Sequence, residues 1–240
     1  MSGPDEKMRL EQVYADRARR LPADYYSPFH PGNLFVSQGR ERAILRLLAG
    51  NGLADLSNCR ILDLGCGSGG DLRRMLDLGA APENLHGVDL LADRLERARQ
   101  LAPQLDFQLA DAQRLPFDDE RFDLVMQSTA FSSILDATVR RQVAREMARV
   151  LRPGGSVLWY DMRITNPRNP DLLPMTAPEI ERLFPGFDRH LKSVTLLPPL
   201  ARRLAPAAWE LCTLLEALPF LRSHLVGLFR KPGTHRAGTR

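Results

Sequence analysis

The chain has 240 residues, of which 44% are hydrophobic and 26% charged, and its formal net charge is +4. That is enough chain for one full core, and the balance is that of an ordinary globular protein, which excludes wholesale disorder. No window approaches the roughly 18 consecutive apolar residues of a membrane span, and residues 1–20 are charged rather than signal-like, so the cytoplasm is the expected compartment. Cys59, Cys66 and Cys212 stand far apart without C-x-x-C spacing, which points to reduced thiols and not to a disulfide frame or a zinc knuckle. Positive charge sits on scattered arginines, several at helical spacing such as Arg141, Arg145 and Arg149, and this describes a solvated surface better than a nucleic-acid patch.

In chain order, residues 1–36 hold Pro22, Pro28, Pro31 and Gly32 among Tyr14, Tyr25, Tyr26 and Phe29, and they read as an irregular N-terminal arm or lid. From Ser37 to Gly50, Ala43, Ile44, Leu47 and Leu48 recur at helical spacing until Gly50 and Gly52 stop the helix. Arg60 to Leu64 is a short apolar strand, Gly65 to Gly70 a glycine turn, and Asp71 to Leu78 a helix. Leu85 to Asp89 reads as a strand, Leu91 to Leu101 as a helix, Leu105 to Leu109 and Phe122 to Gln127 as further strands. Val139, Val143, Met147 and Val150 share one helical face before Pro153-Gly154-Gly155 breaks the chain ahead of a fifth strand, Ser156 to Tyr160. Beyond it come a helix over Ala177 to Phe184, a strand over Leu191 to Leu197, a helix over Pro206 to Leu218 and a last strand over His224 to Phe229. Repeated alternation of strand and helix implies right-handed crossovers and a mostly parallel sheet with helices on both sides, whose ligands sit beyond the carboxyl ends of the strands. Residues 37–232 form the expected domain, and 233–240 a frayed tail.

The glycine turn carries the chemistry. In Ile61-Leu62-Asp63-Leu64-Gly65-Cys66-Gly67-Ser68-Gly69-Gly70, small residues stand where a strand turns sharply and a ligand approaches its backbone. Gly65, Gly67 and Gly70 also satisfy G-x-G-x-x-G, which by itself fits a dinucleotide enzyme equally well. Asp89 ends the next strand, where a carboxylate can accept from both hydroxyls of a ribose. Asp63 is a second acid just before the turn, and it suits a ligand bearing an ammonium and a sulfonium better than it suits a pyrophosphate.

Taken in order, these segments resemble class I S-adenosylmethionine (SAM)-dependent methyltransferases of the type 11-like kind. Ile61 to Gly69 is similar to their first signature and Gly87-Val88-Asp89-Leu90 to the acid of the second strand. Ala110-Asp111-Ala112 with Leu115-Pro116-Phe117 resembles the adenine-side segment, Phe122-Asp123-Leu124-Val125 the fourth strand, and Arg149 to Gly155 the turn before the fifth. The resemblance implies an α/β, Rossmann-like, doubly wound seven-stranded sheet, mostly parallel with an antiparallel final strand. It also implies SAM as cofactor, with S-adenosylhomocysteine as its product. Gly65, Cys66 and Gly67 would surround the methionine part and Asp89 the ribose. Asp111 would meet the adenine amine, flanked by Ala112 and Leu90. Gln127 would sit near the methionine moiety, and Arg40 would reach its carboxylate.

Methyl transfer chiefly requires a nucleophile aligned behind the methyl carbon and exclusion of water. An oxygen or nitrogen acceptor must also lose a proton, and the candidate bases are His30, in the aromatic arm, and Asp161, at the end of the fifth strand. His224 reads as a packed strand residue. Phe131, Trp159, Tyr160, Met162, Trp209 and Leu215 are candidates for an apolar acceptor wall, and Arg163, Asn166 and Arg168 for its polar edge. The histidines form no H-x-x-x-H or comparable cluster, so no metal is expected. The expected acceptor is a small molecule or glycan, methylated at a hydroxyl oxygen, because Gly32-Asn33-Leu34-Phe35, Leu158 to Asp161 and His224 to Gly227 resemble methyltransferases of bacterial polysaccharide or secondary-metabolite pathways. The rivals are an NAD(P)-dependent oxidoreductase, a nucleic-acid methyltransferase, and a SAM-binding subunit without catalysis. The second lacks support, since Gln127-Ser128-Thr129-Ala130 is not the Asn/Asp-Pro-Pro-aromatic motif and no basic stripe is present.

Overall fold

The computed structural model describes residues 3–22, 24–166 and 169–233. Its strands are β1 (Ile61–Leu64), β2 (Leu85–Asp89), β3 (Asp106–Leu109), β4 (Phe122–Ser128), β5 (Leu151–Met162), β6 (Asp188–Leu196) and β7 (Arg222–Arg230). They form one sheet in the order β3-β2-β1-β4-β5-β7-β6. Every pair from β3 to β5 is parallel, and β7 runs antiparallel to both of its neighbours. The helices are α1 (Gly3–Arg20), α2 (Pro31–Gly50), α3 (Gly70–Asp77), α4 (Ala92–Leu101), α5 (Ala137–Val150), α6 (Ala177–Leu183), α7 (Pro198–Leu204) and α8 (Trp209–Glu216).

β1 is buried along its whole length, as a central parallel strand covered on both faces must be. Alternate residues serve opposite cores. Leu62, Leu64, Val125, Val157 and Trp159 pack with Val139, Val143 and Met147 of α5. Ile61, Leu124, Met126 and Leu158 pack with Ile44, Leu47 and Leu48 of α2 and with residues of α3 and α4. Strand order reverses between β1 and β4, so the crevice at their carboxyl ends is the topological switch point where such sheets take ligands.

The structure corrects the reading of residues 1–36. Gly3–Arg20 is an 18-residue helix, with Asp5 and Glu6 in its first turn and Arg17, Arg19 and Arg20 in its last, complementing the helix dipole. The prolines that suggested an irregular arm, Pro22, Pro28 and Pro31, all follow Arg20. α2 also begins earlier than its apolar spacing indicates. His30 caps it, its Nδ1 accepting from the Gly32 amide at 3.1 Å, with Pro31 as the first helical residue. Gly32 is dictated by packing: a Cβ there would lie 2.3 Å from the Arg202 Cα, because α7, unforeseen in the sequence, crosses α2 at that point. β5 starts at Leu151 rather than Ser156, and the Pro153-Gly154-Gly155 turn is an irregularity within it, opposite the register shift between Phe122 and Leu124. Of the expected frayed tail, only residue 233 lies among the described residues.

Candidate active site

After β1 the chain turns through Gly65 (φ +72°), Gly67 (φ +54°) and Gly69 (φ +75°) before entering α3. These left-handed conformations disfavour any side chain. The amides of Gly65 and Cys66 donate to the Val88 carbonyl at 2.8 and 3.0 Å, tying the turn to β2. Asp89 closes the arrangement, its Oδ2 accepting from the Gly67 amide at 2.8 Å and its Oδ1 from the Leu91 amide at 2.9 Å. The Asp89 carboxylate thus fixes both loops at the rim and keeps further acceptor capacity.

A cavity of about 300 Å³ opens at this rim. Its floor is Gly65, Asp89, Leu90, Asp111, Ala112 and Thr129, and its apolar wall includes Ile134, Val139 and Val143. Its roof is α1, which presents Lys7, Leu10, Tyr14 and Arg17 on one face. Glu6 holds that helix down: its carboxylate, 1% exposed, accepts from the Leu135 amide at 2.6 Å and from Arg9 at 2.8 and 3.0 Å. Burial works to raise the Glu6 pKa, but its hydrogen bonds from Arg9 and Leu135 outweigh it and hold the carboxyl below its usual range. Tyr14 Oη lies 3.0 Å from Ser133 Oγ, and the Arg94 guanidinium sits 4.2 Å over the Tyr14 ring.

A second cavity, of about 180 Å³, lies on the opposite face of the sheet among Arg40, Asp71, Met126, Gln127 and Tyr160. Arg40 is ion-paired with Asp71 and stacks 4.7 Å over the Tyr160 ring, while its Nε, buried, has no partner. Asp63 is buried beside them. Desolvation, and then the like charge of Asp71, lift its carboxyl well above the usual range against the pull of Arg40.

The structure therefore gathers Gly65, Asp89, Leu90, Asp111 and Ala112 around the larger cavity, and Arg40 and Gln127 around the smaller. The Asp111 Oδ1 accepts from the Gln113 amide at 2.8 Å, and Gln127 is occupied within the protein, its Oε1 accepting from the Ala130 amide at 3.1 Å. Asp63, Cys66 and Gly67 line neither cavity. The Cys66 sulfur faces Gly87, and burial pushes its thiol pKa up. The two expected bases also stand elsewhere. His30 is an exposed helix cap, and Asp161 is 0% exposed, accepting from the Ser132 amide at 3.1 Å and its neighbour Met162 at 2.8 Å. Burial raises the Asp161 carboxyl to about 6. Of the expected acceptor wall, Tyr160 alone lines either of these two cavities; Phe131 and Trp159 lie in the core under α5, and Trp209 packs on Phe35. Arg163 donates to the Pro219 and Arg222 carbonyls, and Arg168 lies outside the described residues. The cavity residues that sequence reasoning missed include those of α1, and Thr129 and Ser133 after β4. Lys7, Leu10, Tyr14 and Arg17 recur at spacings of three and four, a helical stripe that was legible in the chain.

Residues 61–155 match a family model described as a methyltransferase domain. The chain is 38% identical over 123 residues to a phthiotriol/phenolphthiotriol dimycocerosates methyltransferase of Mycobacterium ulcerans, a match covering 47% of this chain and 41% of the relative. A fatty-acid O-methyltransferase of Mycolicibacterium smegmatis is 38% identical over 114 residues, covering 46% and 39%. The chain thus matches only about two fifths of the length of these curated relatives. In fold it resembles an S-adenosylmethionine-dependent methyltransferase from Mesorhizobium loti, with a TM-score of 0.59 and 21% identity over 80% of this chain and 98% of the other.

Proposed function

Because this chain carries a class I SAM-dependent methyltransferase domain, whose cofactor is SAM, we propose that it transfers the methyl group of SAM to a small apolar acceptor, at a hydroxyl oxygen. The observation that carries the reading is the glycine turn locked to Asp89 at the switch point, opening on a cavity roofed by α1. The residues present suit the cofactor. Gly65 and Gly67 leave the backbone bare, and Asp89 can accept from a ribose diol. Leu90 and Ala112 offer apolar faces for a base, and the cavity acids Asp89 and Asp111 favour a cationic ligand over a pyrophosphate.

When bound, SAM supplies a methyl group on a sulfonium that is its own leaving group. The protein's part is to orient the acceptor and exclude water, and orientation alone can be worth effective molarities on the order of 10⁵ M or more. α1 excludes water by covering the cavity. Leu10, Ile134, Val139 and Val143 form a wall suited to an apolar acceptor, in keeping with relatives named for phthiotriol dimycocerosates and for fatty acids, and of the two acceptor classes expected from the sequence this favours the small molecule over the glycan. Tyr14 Oη and Ser133 Oγ, facing that wall 3.0 Å apart, orient the acceptor hydroxyl. His30 and Asp161 face neither cavity, so this reading uses neither as the base, and the proton of the acceptor hydroxyl leaves to solvent through the cavity mouth as the methyl group is transferred.

The test is to incubate the purified protein and SAM with pools of apolar alcohols and carboxylic acids, and with sugars, and to follow products gaining a methyl group by mass spectrometry. Methylation of an apolar hydroxyl, reduced in Tyr14→Phe and Ser133→Ala, is the expected result. Turnover of sugars alone would refute the acceptor class.

A further inference from the structure

Phe29 is 96% exposed, Tyr26 58% and Tyr25 37%, in the short segment that joins α1 to α2. A single exposed apolar side chain is ordinary, but three aromatic rings exposed together in one short segment make a patch of the kind that marks an interaction site. The segment is braced rather than loose. Asn33, itself 8% exposed, donates to the carbonyls of Tyr25 at 2.8 Å and Ser27 at 3.0 Å, and its Oδ1 accepts from Arg202 Nε at 2.8 Å. The Phe29 amide donates to Ser27 Oγ at 3.2 Å. The fold therefore holds the aromatic tip out.

Around it the charge is basic. Arg17 stacks 5.5 Å over the Tyr26 ring and Arg202 4.1 Å over that of Tyr25. Arg20 ends α1, and Arg203 follows Arg202 in α7, both exposed. In the same stretch of chain, Asp16 is bound to Arg19 and Asp24 is exposed. Tyr26 and Arg17 also line the larger cavity, so the aromatic tip stands at its mouth.

We infer that the tip Tyr25-Tyr26-Phe29, with Arg17, Arg20, Arg202 and Arg203, is a docking surface for an anionic lipid bilayer. Aromatic rings lodge at the level of the headgroups and arginines meet the negative surface potential. Such docking sets the cavity mouth against the membrane, where an apolar acceptor resides. The inference goes beyond methyl transfer and stands without it.

The test is flotation of the full-length protein with vesicles of phosphatidylcholine alone and of phosphatidylcholine with one part in three phosphatidylserine. Binding is expected to the anionic vesicles only, and to weaken in high salt. Phe29→Ser should lower the partition coefficient by about tenfold. Arg20→Gln with Arg203→Gln should lower it by roughly 25-fold, at about fivefold for each charge. All variants should bind S-adenosylhomocysteine as the wild type does, which separates this test from that of the transfer reading. Absence of binding to anionic vesicles, or binding that these variants leave unchanged, overturns the inference. So does a dimer in light scattering that Phe29→Ser converts to monomer, which would make the tip an interface between copies.

Discussion

Gly69→Ala separates the roles of the glycines in the turn. Gly69 has φ +75°, and a Cβ there would lie 2.7 Å from Phe107 Cζ and 2.9 Å from its Cε1. The left-handed backbone costs a non-glycine residue about 1–2 kcal/mol. The Phe107 ring is 5% exposed and cannot swing away, so overpacking adds about 1–3 kcal/mol. The expected loss is about 3 kcal/mol, or a melting temperature lower by roughly 6–12 °C for a chain of this size. Gly79→Ala is the control, with φ +92° but no atom within 4 Å of the added carbon, so only the backbone cost of about 1–2 kcal/mol applies. Urea unfolding of both variants measures the difference. If Gly69→Ala lost no more stability than Gly79→Ala, the packing role of this glycine would be wrong.

Gly67→Ala should behave differently: φ is +54° and the nearest atom, on Arg94, is 3.8 Å away, so it should lose about 1–2 kcal/mol of stability; because the Gly67 amide positions Asp89, strain there should also lower S-adenosylhomocysteine affinity at least tenfold, read by calorimetry. Glu6→Ala removes the buried carboxylate that ties α1 to Leu135. It should cost about 1.5–3 kcal/mol and expose residues 3–20 to limited proteolysis, whereas unaltered protease resistance would show the tether to be unimportant. Acid stability tests two buried groups. Asp161, raised from 3.8 to about 6, keeps its proton in the folded state, so its contribution is full below pH 3.8 and is lost as pH rises to about 6. His224 is lowered from 6.5 to about 4, first by burial and then by Arg40; its contribution is present above pH 6.5 and lost as pH falls to about 4. Each is worth up to roughly 3 kcal/mol, so they oppose one another in the wild type. Asp161→Asn should steepen the rise in stability between pH 4 and 6.5, and His224→Phe should reverse it; identical pH slopes in all three proteins would sink the assignment.

The parallel half of the sheet was legible because each strand ends in a chemically conspicuous turn: Gly65 after β1, Asp89 at the end of β2, Asp111 after β3. Gly65, Asp89, Leu90, Asp111 and Ala112, which line the larger cavity, stand at those same ends, whereas Asp63, just before the turn, is turned into the interior. What was not legible depended on contacts distant in sequence. Asp161 ends a strand as a base might, yet the turn at Ser132 folds over it and leaves it 0% exposed. His30 lies in an aromatic segment but is taken up in capping α2. Trp159 has the size of a pocket wall, but the parity of β5 points it into the core with Phe131, 4.8 Å away. The roof was hidden differently: the helical stripe Lys7, Leu10, Tyr14 and Arg17 was present, and the prolines after Arg20 drew attention from it.

Isothermal calorimetry of the wild type and Asp89→Ala with S-adenosylhomocysteine and with NADH decides whether the larger cavity takes a sulfonium nucleoside. One equivalent of S-adenosylhomocysteine bound by the wild type, a loss of at least tenfold in the variant and no heat with NADH is the predicted result. Saturable binding of NADH with none of the nucleoside would contradict it.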